Sequence, residues 1–210
     1  MGSADRFLSV EEAMEGLCLY LSEQTGWKYL KSRRCLKKNV EDLVFEIRFY
    51  SSKWNLSYQS VEVECELQFW TKKIDKACTV HSSVGCYKFD PPTGVWWDIS
   101  TESRLAKTRE QLNTAIMTYA VGLCREFEDN YVEATKKLMS DAIFEAYHIR
   151  LSFIASQLGN DYIAEKAKEI YHSLNASLRE QVKDYRQGDR SKMWMINPNN
   201  LKYIVDNGLV

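Results

Sequence analysis

The chain has 210 residues, of which 45% are hydrophobic, and its 28 lysines and arginines nearly balance 29 aspartates and glutamates. This composition supplies one substantial core and excludes a largely disordered chain. The formal net charge of -1 excludes an overall positive field of the kind that draws proteins to nucleic acid or anionic membranes.

The start of the chain and its apolar runs bear on location. Asp5, Glu11, Glu12 and Glu15 lie where a secretory signal has a basic region followed by an apolar run. Elsewhere, charged residues interrupt every apolar stretch well before the ~20 residues that a membrane span needs. We therefore expect a cytoplasmic protein with no membrane contact.

Cysteine and histidine spacing predicts neither a metal site nor a redox pair. No two cysteines form a CxxC motif, and the histidines are far apart in sequence. We expect reduced thiols, no metal and no cofactor. Motifs for a nucleophile elbow, a phosphate loop or a zinc protease are missing as well, so the sequence predicts no catalytic residue. The residues concerned are Cys18, Cys35, Cys65, Cys78, Cys86, Cys124, His81, His148 and His172.

The first predicted element is a helix. Ser9 followed three residues later by Glu12 is the pattern of a capping box, and Leu17 and Leu21 continue an apolar stripe. The pair Thr25-Gly26 then ends the helix.

Residues 27–99 change to the pattern of β-strands. Segments rich in β-branched and aromatic residues are separated by short links with turn residues such as Asn39 and Gly94. Because these links lack a helical pattern, we predict about five strands in a mainly antiparallel meander rather than βαβ units.

Beyond residue 101 the apolar period becomes helical. It predicts three long helices, over residues 105–123, 131–158 and 160–187, and a tail with one short helix. The fold class is therefore α+β, with residues 1–101 forming the helix and the antiparallel sheet. Residues 102–210 form a helical region that packs on the sheet or extends from it, as a separate module or within one continuous domain.

Strict alternation marks residues 61–69. One face of this strand carries Glu62, Glu64, Glu66 and Gln68, and the other carries Val61, Val63, Cys65, Leu67 and Phe69. The acidic face is either a surface for a partner or a solvated face balanced by cross-strand ion pairs, for which the preceding strands offer cations. Glu64 and Glu66 also suit a metal-dependent hydrolase, although the lysine of a nuclease core is missing.

A basic segment precedes that strand. Residues 27–38 hold six cations and no acidic residue, interleaved with Trp27 and Tyr29, which is typical of a nucleic-acid groove. The alternative is an edge strand that lysines keep unpaired, and the chain's neutral balance favours it. The nucleic-acid-binding candidates are Lys28, Lys31, Arg33, Arg34, Lys37 and Lys38.

Three tryptophans are further candidates for partner binding. Trp96 and Trp97 are adjacent in a strand and therefore face opposite sides of the sheet. One belongs to the core, and the other lies beneath a helix or anchors an interface. Trp194, in the tail, docks either on its own domain or on a second chain.

One resemblance covers residues 10–100. The leading amphipathic helix, Gly26-Trp27-Lys28 at its exit, the basic strand and an aromatic strand closing on Ser52-Lys53-Trp54 resemble a group of uncharacterised bacterial domains known as a domain of unknown function. The resemblance implies a small bacterial or phage α+β protein, with no established catalytic residues to assign.

These observations favour a binding function. We expect a non-enzymatic cytosolic interaction protein of the immunity, inhibitor or adaptor type, which recognises another protein through the acidic face, exposed aromatics or the helical hairpin. Homodimerisation through residues 160–187 or the tail is the related expectation. The alternatives are nucleic-acid binding through residues 27–38 and a hydrolase or nuclease using Glu64 and Glu66.

Overall fold

The protein is described by a computed structural model over residues 5–72, 83–92, 94, 96–189, 191 and 200–210. A helix precedes one antiparallel sheet, and further helices follow it. The helix and strands are α1 (Val10–Thr25), β1 (Lys28–Leu30), β2 (Cys35–Val40), β3 (Leu43–Ser51), β4 (Glu62–Thr71), β5 (Ser83–Phe89) and β6 (Trp97–Asp98). The helices after the sheet are α2 (Glu102–Ile116), α3 (Gly122–Asp129), α4 (Tyr131–Lys137), α5 (Asp141–Ala146), α6 (Leu151–Leu158), α7 (Asn160–Ser173), α8 (Ala176–Arg186) and α9 (Leu201–Asp206). The predicted α+β class is confirmed.

Helix α1 begins at the predicted capping box. The Ser9 hydroxyl accepts the Glu12 N–H at 3.2 Å, and the Glu12 carboxylate accepts the Ser9 N–H at 2.8 Å. Gly26, with φ +69°, ends the helix in the left-handed conformation that glycine adopts without a steric penalty. The buried stripe of Leu17 and Leu21 then faces the sheet.

The capping box makes the acid stability of the protein depend on Glu12. Hydrogen bonds from Ser9, together with Arg6, lower the pKa of Glu12 to about 2 from a usual 4.5. Because the folded-state pKa is depressed, the carboxylate stabilises the fold above pH 4.5, and this contribution is lost as the pH falls through about 2.

We therefore expect Glu12→Gln to lower the melting temperature near neutral pH. The difference from the wild-type protein should shrink progressively in acid, because glutamine keeps the cap hydrogen bond but carries no charge. Melting curves collected from neutral pH into strong acid measure it. A difference that stays constant with pH would contradict this assignment.

The strands follow each other in the order β1-β2-β3-β4-β5, all antiparallel, and β6 pairs with the first residues of β4. Phe45 of β3 lies opposite Phe69 of β4, and their rings stack with centroids 5.4 Å apart. Phe127 of α3 packs on Phe45 at 5.9 Å. This face of the sheet, the inner face, is therefore sealed by the helices, and the opposite face is the outer face.

The basic segment is a hairpin rather than the single strand that was predicted. Strands β1 and β2 are joined by a 3-10 turn at Lys31–Arg33, where Arg34 N–H donates to the Lys31 carbonyl at 3.2 Å. Arg34 adopts φ +47°, which reverses the chain direction. The six cations are therefore divided between two strands and the turn that joins them.

The predicted helix over residues 131–158 is divided into α4, α5 and α6. Between α5 and α6 the chain extends along the edge of β5, where Cys86 N–H donates to the Tyr147 carbonyl at 2.8 Å. Arg150 N–H donates to the Val84 carbonyl at 2.9 Å. Because this segment pairs with backbone groups at the sheet edge, it leaves the helical path.

The helical stripe over 160–187 also divides, into α7 and α8, because the Asn175 side chain accepts the Leu178 N–H and starts a new helix. One large cluster of buried side chains draws on both regions, from Leu8 to Ile204. A second, smaller cluster joins α8 and α9 through Val182 and Leu201. No helix in the described residues is long and apolar enough to cross a membrane.

Candidate binding surface

The predicted alternation is confirmed over residues 61–69, where odd positions are buried and even positions are half-buried. Glu62, Glu64 and Glu66 therefore share the outer face of the sheet. Residues on neighbouring strands line up beside them, because Arg48 lies opposite Glu66 on β3 and Lys88 lies opposite it on β5.

The acidic side chains of β4 are tied to their neighbours rather than gathered around one point. Lys88 forms an ion pair with Glu64, and the Gln68 amide donates to Glu66 at 3.2 Å. The same amide donates to the Tyr50 hydroxyl at 3.1 Å. In the part of the chain that the structure describes, no group of three or more potential metal ligands forms. The arrangement is that of a cross-strand polar network.

The centre of the outer face is a buried carboxylate, that of Glu46, which has no exposed surface. Its Oε2 accepts from Arg33 Nη2 and Arg48 Nε, both at 2.8 Å. Its Oε1 has no hydrogen-bond donor among the described residues. The guanidinium of Arg48 lies 5.8 Å from the centroid of the Trp70 ring, and burial beside Glu46 raises the pKa of the Cys35 thiol. The outer face is thus partly closed, and the interpretation as a simply solvated face is incomplete.

The six basic candidates do not share one surface. Lys31 pairs with Glu15 of α1 at 2.8 Å, and Lys38 pairs with Glu128 of α3 at 2.7 Å. Arg33 crosses to Glu46 on the outer face. Lys28 and Lys37 lie opposite each other on β1 and β2. Arg34 lines a cleft beside α1. Three of the six cations are therefore already paired with carboxylates.

The three tryptophan candidates differ in where they lie and how far they are exposed. Trp97 is only 4% exposed, and its indole N–H donates to the Phe89 carbonyl at 2.7 Å. Trp97 is therefore the core member of the Trp96-Trp97 pair, because it lies opposite Val63 on the inner face, and it is not available as a partner contact. Trp96 is half-buried just before β6. Trp194 lies outside the described residues.

Large apolar side chains are displayed instead on the loop of residues 52–60, which we name the aromatic loop. Trp54 is 76% exposed, Leu56 57% and Tyr58 61%. Lys53 lies beside them, with its Nζ 5.0 Å from the centroid of the Trp54 ring. Such a group of exposed apolar side chains on one segment marks a contact surface more often than isolated ones do.

The backbone of the aromatic loop is fixed by Asn55. Its side-chain amide donates to the Glu62 carbonyl at 2.8 Å and to the Ser51 hydroxyl at 2.9 Å. Its side-chain oxygen accepts the Glu62 N–H at 2.8 Å. Leu56 N–H closes the turn on the Ser60 carbonyl at 2.8 Å. The loop is therefore ordered although its apolar side chains lie in solvent.

The far end of the aromatic loop is attached to the start of α1. Tyr58 N–H donates to the Leu8 carbonyl at 2.8 Å, and Val10 N–H donates to the Ser57 hydroxyl at 3.1 Å. Tyr58 adopts φ +65°, a conformation that costs a residue with a side chain about 1–2 kcal/mol. The surrounding contacts hold it there.

A cleft of about 500 Å³ lies between the aromatic loop, α1 and the turn after β1. Met14 and Tyr29 supply apolar surface, Ser57 belongs to the loop, and Lys31 and Arg34 bring positive charge. Burial raises the pKa of Tyr29 to about 12, so its hydroxyl stays neutral at physiological pH. The cleft meets the aromatic loop at Ser57, and Glu11 and Glu15 bring two carboxylates to its lining beside the two cations.

Sequence reasoning missed the aromatic loop. The prediction treats Ser52-Lys53-Trp54 only as the end of an aromatic strand. The signal was the spacing of Trp54, Leu56 and Tyr58, since three large apolar side chains in a connection of nine residues exceed what a turn requires. In comparisons with protein-family models, curated proteins and solved structures nothing matches this chain, so the proposals below are based on its own residues.

Proposed function

We propose that the protein is a non-enzymatic binding module that holds another protein through the aromatic loop. The observation that carries the proposal is an ordered backbone that displays Trp54, Leu56 and Tyr58 to solvent. Tryptophan and tyrosine are the residues most enriched among interface hot spots. Removing an apolar surface of this kind from water lowers the free energy, so its burial by a partner favours binding.

The order of the loop matters as much as its exposure. A disordered loop would lose conformational entropy on binding, and that loss subtracts from the affinity. Asn55 fixes the loop before any partner arrives, because its amide joins the two ends of the connection. The module is therefore preorganised for binding.

The setting of the module belongs to the same proposal. The resemblance of residues 10–100 supports a bacterial or phage protein, and the immunity, inhibitor or adaptor role is the expectation drawn from its charges and aromatic residues. The five described cysteines carry free thiols, which a reducing compartment such as the cytosol preserves. Nucleic-acid binding through residues 27–38 stays a prediction, with Lys31, Arg33 and Lys38 already engaged in ion pairs.

Binding should depend on Trp54 and Tyr58 and not on exposed apolar surface elsewhere. The immobilised chain is exposed to lysate of the native host, with and without nuclease, and a stoichiometric protein partner is purified and titrated. We expect Trp54→Ala combined with Tyr58→Ala to weaken binding about 30-fold or more, which is the loss of about 2 kcal/mol that a single hot spot contributes.

The control is Leu19→Ala on α1, which removes another exposed apolar side chain, one that is 45% exposed. It should leave the affinity unchanged, and thermal melting should show that all variants fold. Sedimentation of the pure chain at micromolar concentration tests whether the partner is a second copy. Unchanged affinity of the double variant would show that the aromatic loop is not the contact surface.

A further inference from the structure

The outer face of the sheet lies outside the helical core. Cys35 and Val44 are buried on this face, yet neither belongs to the large cluster that joins the inner face to the helices. Other side chains of the face reach the surface, since Tyr50 is 38% exposed and the side chain of Lys88 is 44% exposed. The outer face is therefore accessible to a partner on both sides of the buried Glu46.

The charges of this face are separated across the strands rather than mixed. The basic half lies on β1, β2, β3 and the turn between β1 and β2, where four cations accompany the single carboxylate of Glu46. The acidic half lies on β4, β5 and β6, where four carboxylates accompany the single strand cation, Lys88. Arg104 of α2 pairs with Asp98, and Arg150 lies at the edge of β5, so the acidic half stays net negative when both are counted. The cations of the basic half are Lys28, Arg33, Lys37 and Arg48, and the carboxylates of the acidic half are Glu62, Glu64, Glu66 and Asp98.

Four of these charges have no ionic partner among the described residues. Lys28 and Lys37 lie directly opposite each other on neighbouring strands, an arrangement in which like charges repel. Glu62 lies opposite Asp98 in the same way. Glu66 accepts a hydrogen bond from the neutral Gln68 amide and makes no described ion pair. These charges are available to groups from outside the chain.

We propose that the outer face binds the outer face of a second copy of this chain. The two-fold axis of this dimer runs along the strands, between β3 and β4. Rotation about that axis places the acidic half of each copy over the basic half of the other, so one self-complementary contact is made twice. An axis across the strands would bring like halves together. The surface is separate from the aromatic loop, so this dimer adds a partner to the proposed function.

The register of the sheet predicts which charges meet. Arg48 and Glu66 are opposite each other on β3 and β4, one on each side of the axis. The rotation therefore carries Glu66 of the second copy over Arg48. The turn that holds Arg33 lies toward the end of the sheet where β4 begins, because the Arg34 carbonyl accepts the Phe49 N–H at 3.1 Å. Arg33 thus approaches the acidic residues at the start of β4 in the second copy.

The size of the face predicts a weak dimer. Five strands about 4.8 Å apart and about 25 Å long give a footprint of about 600 Å² on each copy. A standard interface buries about 800 Å² on each partner, and stacked sheets cross at about 30°, which reduces their overlap. We therefore expect a dissociation constant on the order of 10 μM or above.

Sedimentation equilibrium of the full chain from about 1 to 300 μM tests the dimer. Its dissociation constant should rise about tenfold or more between about 50 mM and 500 mM salt, because the attraction between the halves is screened. Lys28→Glu with Lys37→Glu reverses the basic half, and Glu62→Lys with Glu66→Lys reverses the acidic half. Each pair of changes should weaken the dimer about tenfold or more, since like halves then face each other.

Mixing the two reversed variants should restore dimerisation, because a wholly acidic face then meets a wholly basic one. Only folded chains can show this rescue, so it separates repulsion from misfolding. If thermal melting shows that a double variant does not fold, the single changes Lys28→Glu and Glu62→Lys replace the pairs. The control is Lys107→Glu with Arg125→Glu, which reverses two exposed cations on α2 and α3 and should leave the dimer unchanged.

Four outcomes would overturn the proposal. They are a chain that stays monomeric at about 300 μM, a dimer that salt does not weaken, a mixture of reversed variants that does not associate, and a control that weakens the dimer equally. A monomeric chain whose basic half binds single-stranded DNA would assign that half to nucleic acid instead. Trp54→Ala with Tyr58→Ala should leave self-association unchanged. If it abolishes self-association, the second copy binds through the aromatic loop, so the outer-face dimer is wrong and the proposed function stands.

Discussion

Replacing Gly85 with alanine should destabilise the fold by about 3 kcal/mol, because the added methyl group has no room. A Cβ built at this position lies 2.7 Å from the Tyr147 carbonyl oxygen, 2.8 Å from Phe69 Cζ and 2.9 Å from Ile149 Cδ1. These distances are shorter than real contacts, and all three neighbours are buried. Relief requires the segment after α5 to move away from β5, which breaks its hydrogen bonds with Cys86 and Val84.

Gly122→Ala is the matched control for Gly85→Ala. Gly122 is helical, with φ -56°, and the nearest atom to its built Cβ is the Met117 carbonyl oxygen at 3.6 Å. Alanine should therefore be neutral or stabilise the fold by up to about 1 kcal/mol. Urea unfolding of both variants gives the comparison. A Gly85→Ala protein within about 0.5 kcal/mol of the wild type would show that the edge of β5 is loosely packed.

The elements that could be predicted from the sequence are those with local signals. The capping box of Ser9 and Glu12 specifies the start of α1 within four residues, and Gly26 specifies its end. The alternation of residues 61–69 specifies both the strand and its faces, because the pleat assigns neighbouring side chains to opposite sides. Each of these signals needs no partner from elsewhere in the chain.

The edge of β5 shows why other parts could not be predicted. Tyr147 and Ile149 belong to the stretch predicted as one helix over residues 131–158, and both are buried. Their local conformation was wrong, because α5 ends in a turn at Tyr147 and His148, and spacing that fits a helical stripe also fits a helix that stops there. Backbone hydrogen bonds to Cys86 and Val84, more than 60 residues earlier, decide between the two. Such long-range pairing leaves no local signal in the sequence.

The candidate surface was predictable only in part for the same reason. Alternation placed Glu62, Glu64 and Glu66 on one face, but it could not show that the neighbouring Glu46 is closed off from water. That closure requires the turn at Lys31–Arg33, which carries Arg33 over the sheet. Exposure of Trp54 likewise follows from the path of a loop that Asn55 fixes through Glu62, seven residues later. Composition alone does not distinguish a buried tryptophan from a displayed one.

The buried charge of Glu46 predicts the second large effect. Changing Arg33 and Arg48 together to methionine should cost about 3–5 kcal/mol, because the carboxylate then stays buried without a countercharge. Methionine is chosen since its chain keeps covering Glu46, whereas alanine would admit water. The exposed pair of Lys31 and Glu15 is the control, and Lys31→Met should cost no more than about 1 kcal/mol.

Adding Glu46→Leu to the double variant should recover most of the loss, because the triple variant then has no buried charge and retains similar volume. Urea unfolding of the single, double and triple variants yields the coupling energy. The expected loss of stability depends on the contacts of one oxygen of Glu46. Both guanidinium groups donate to Oε2, while Oε1 receives no described donor. The two arginines are therefore its countercharges, and the Cys35 thiol is a further polar group beside it. If the free energy of unfolding of the double variant lies within about 1 kcal/mol of the wild-type value, water reaches Glu46 and the outer face is open. In that case the acidic side chains beside Glu46 are again candidates for a binding surface of their own.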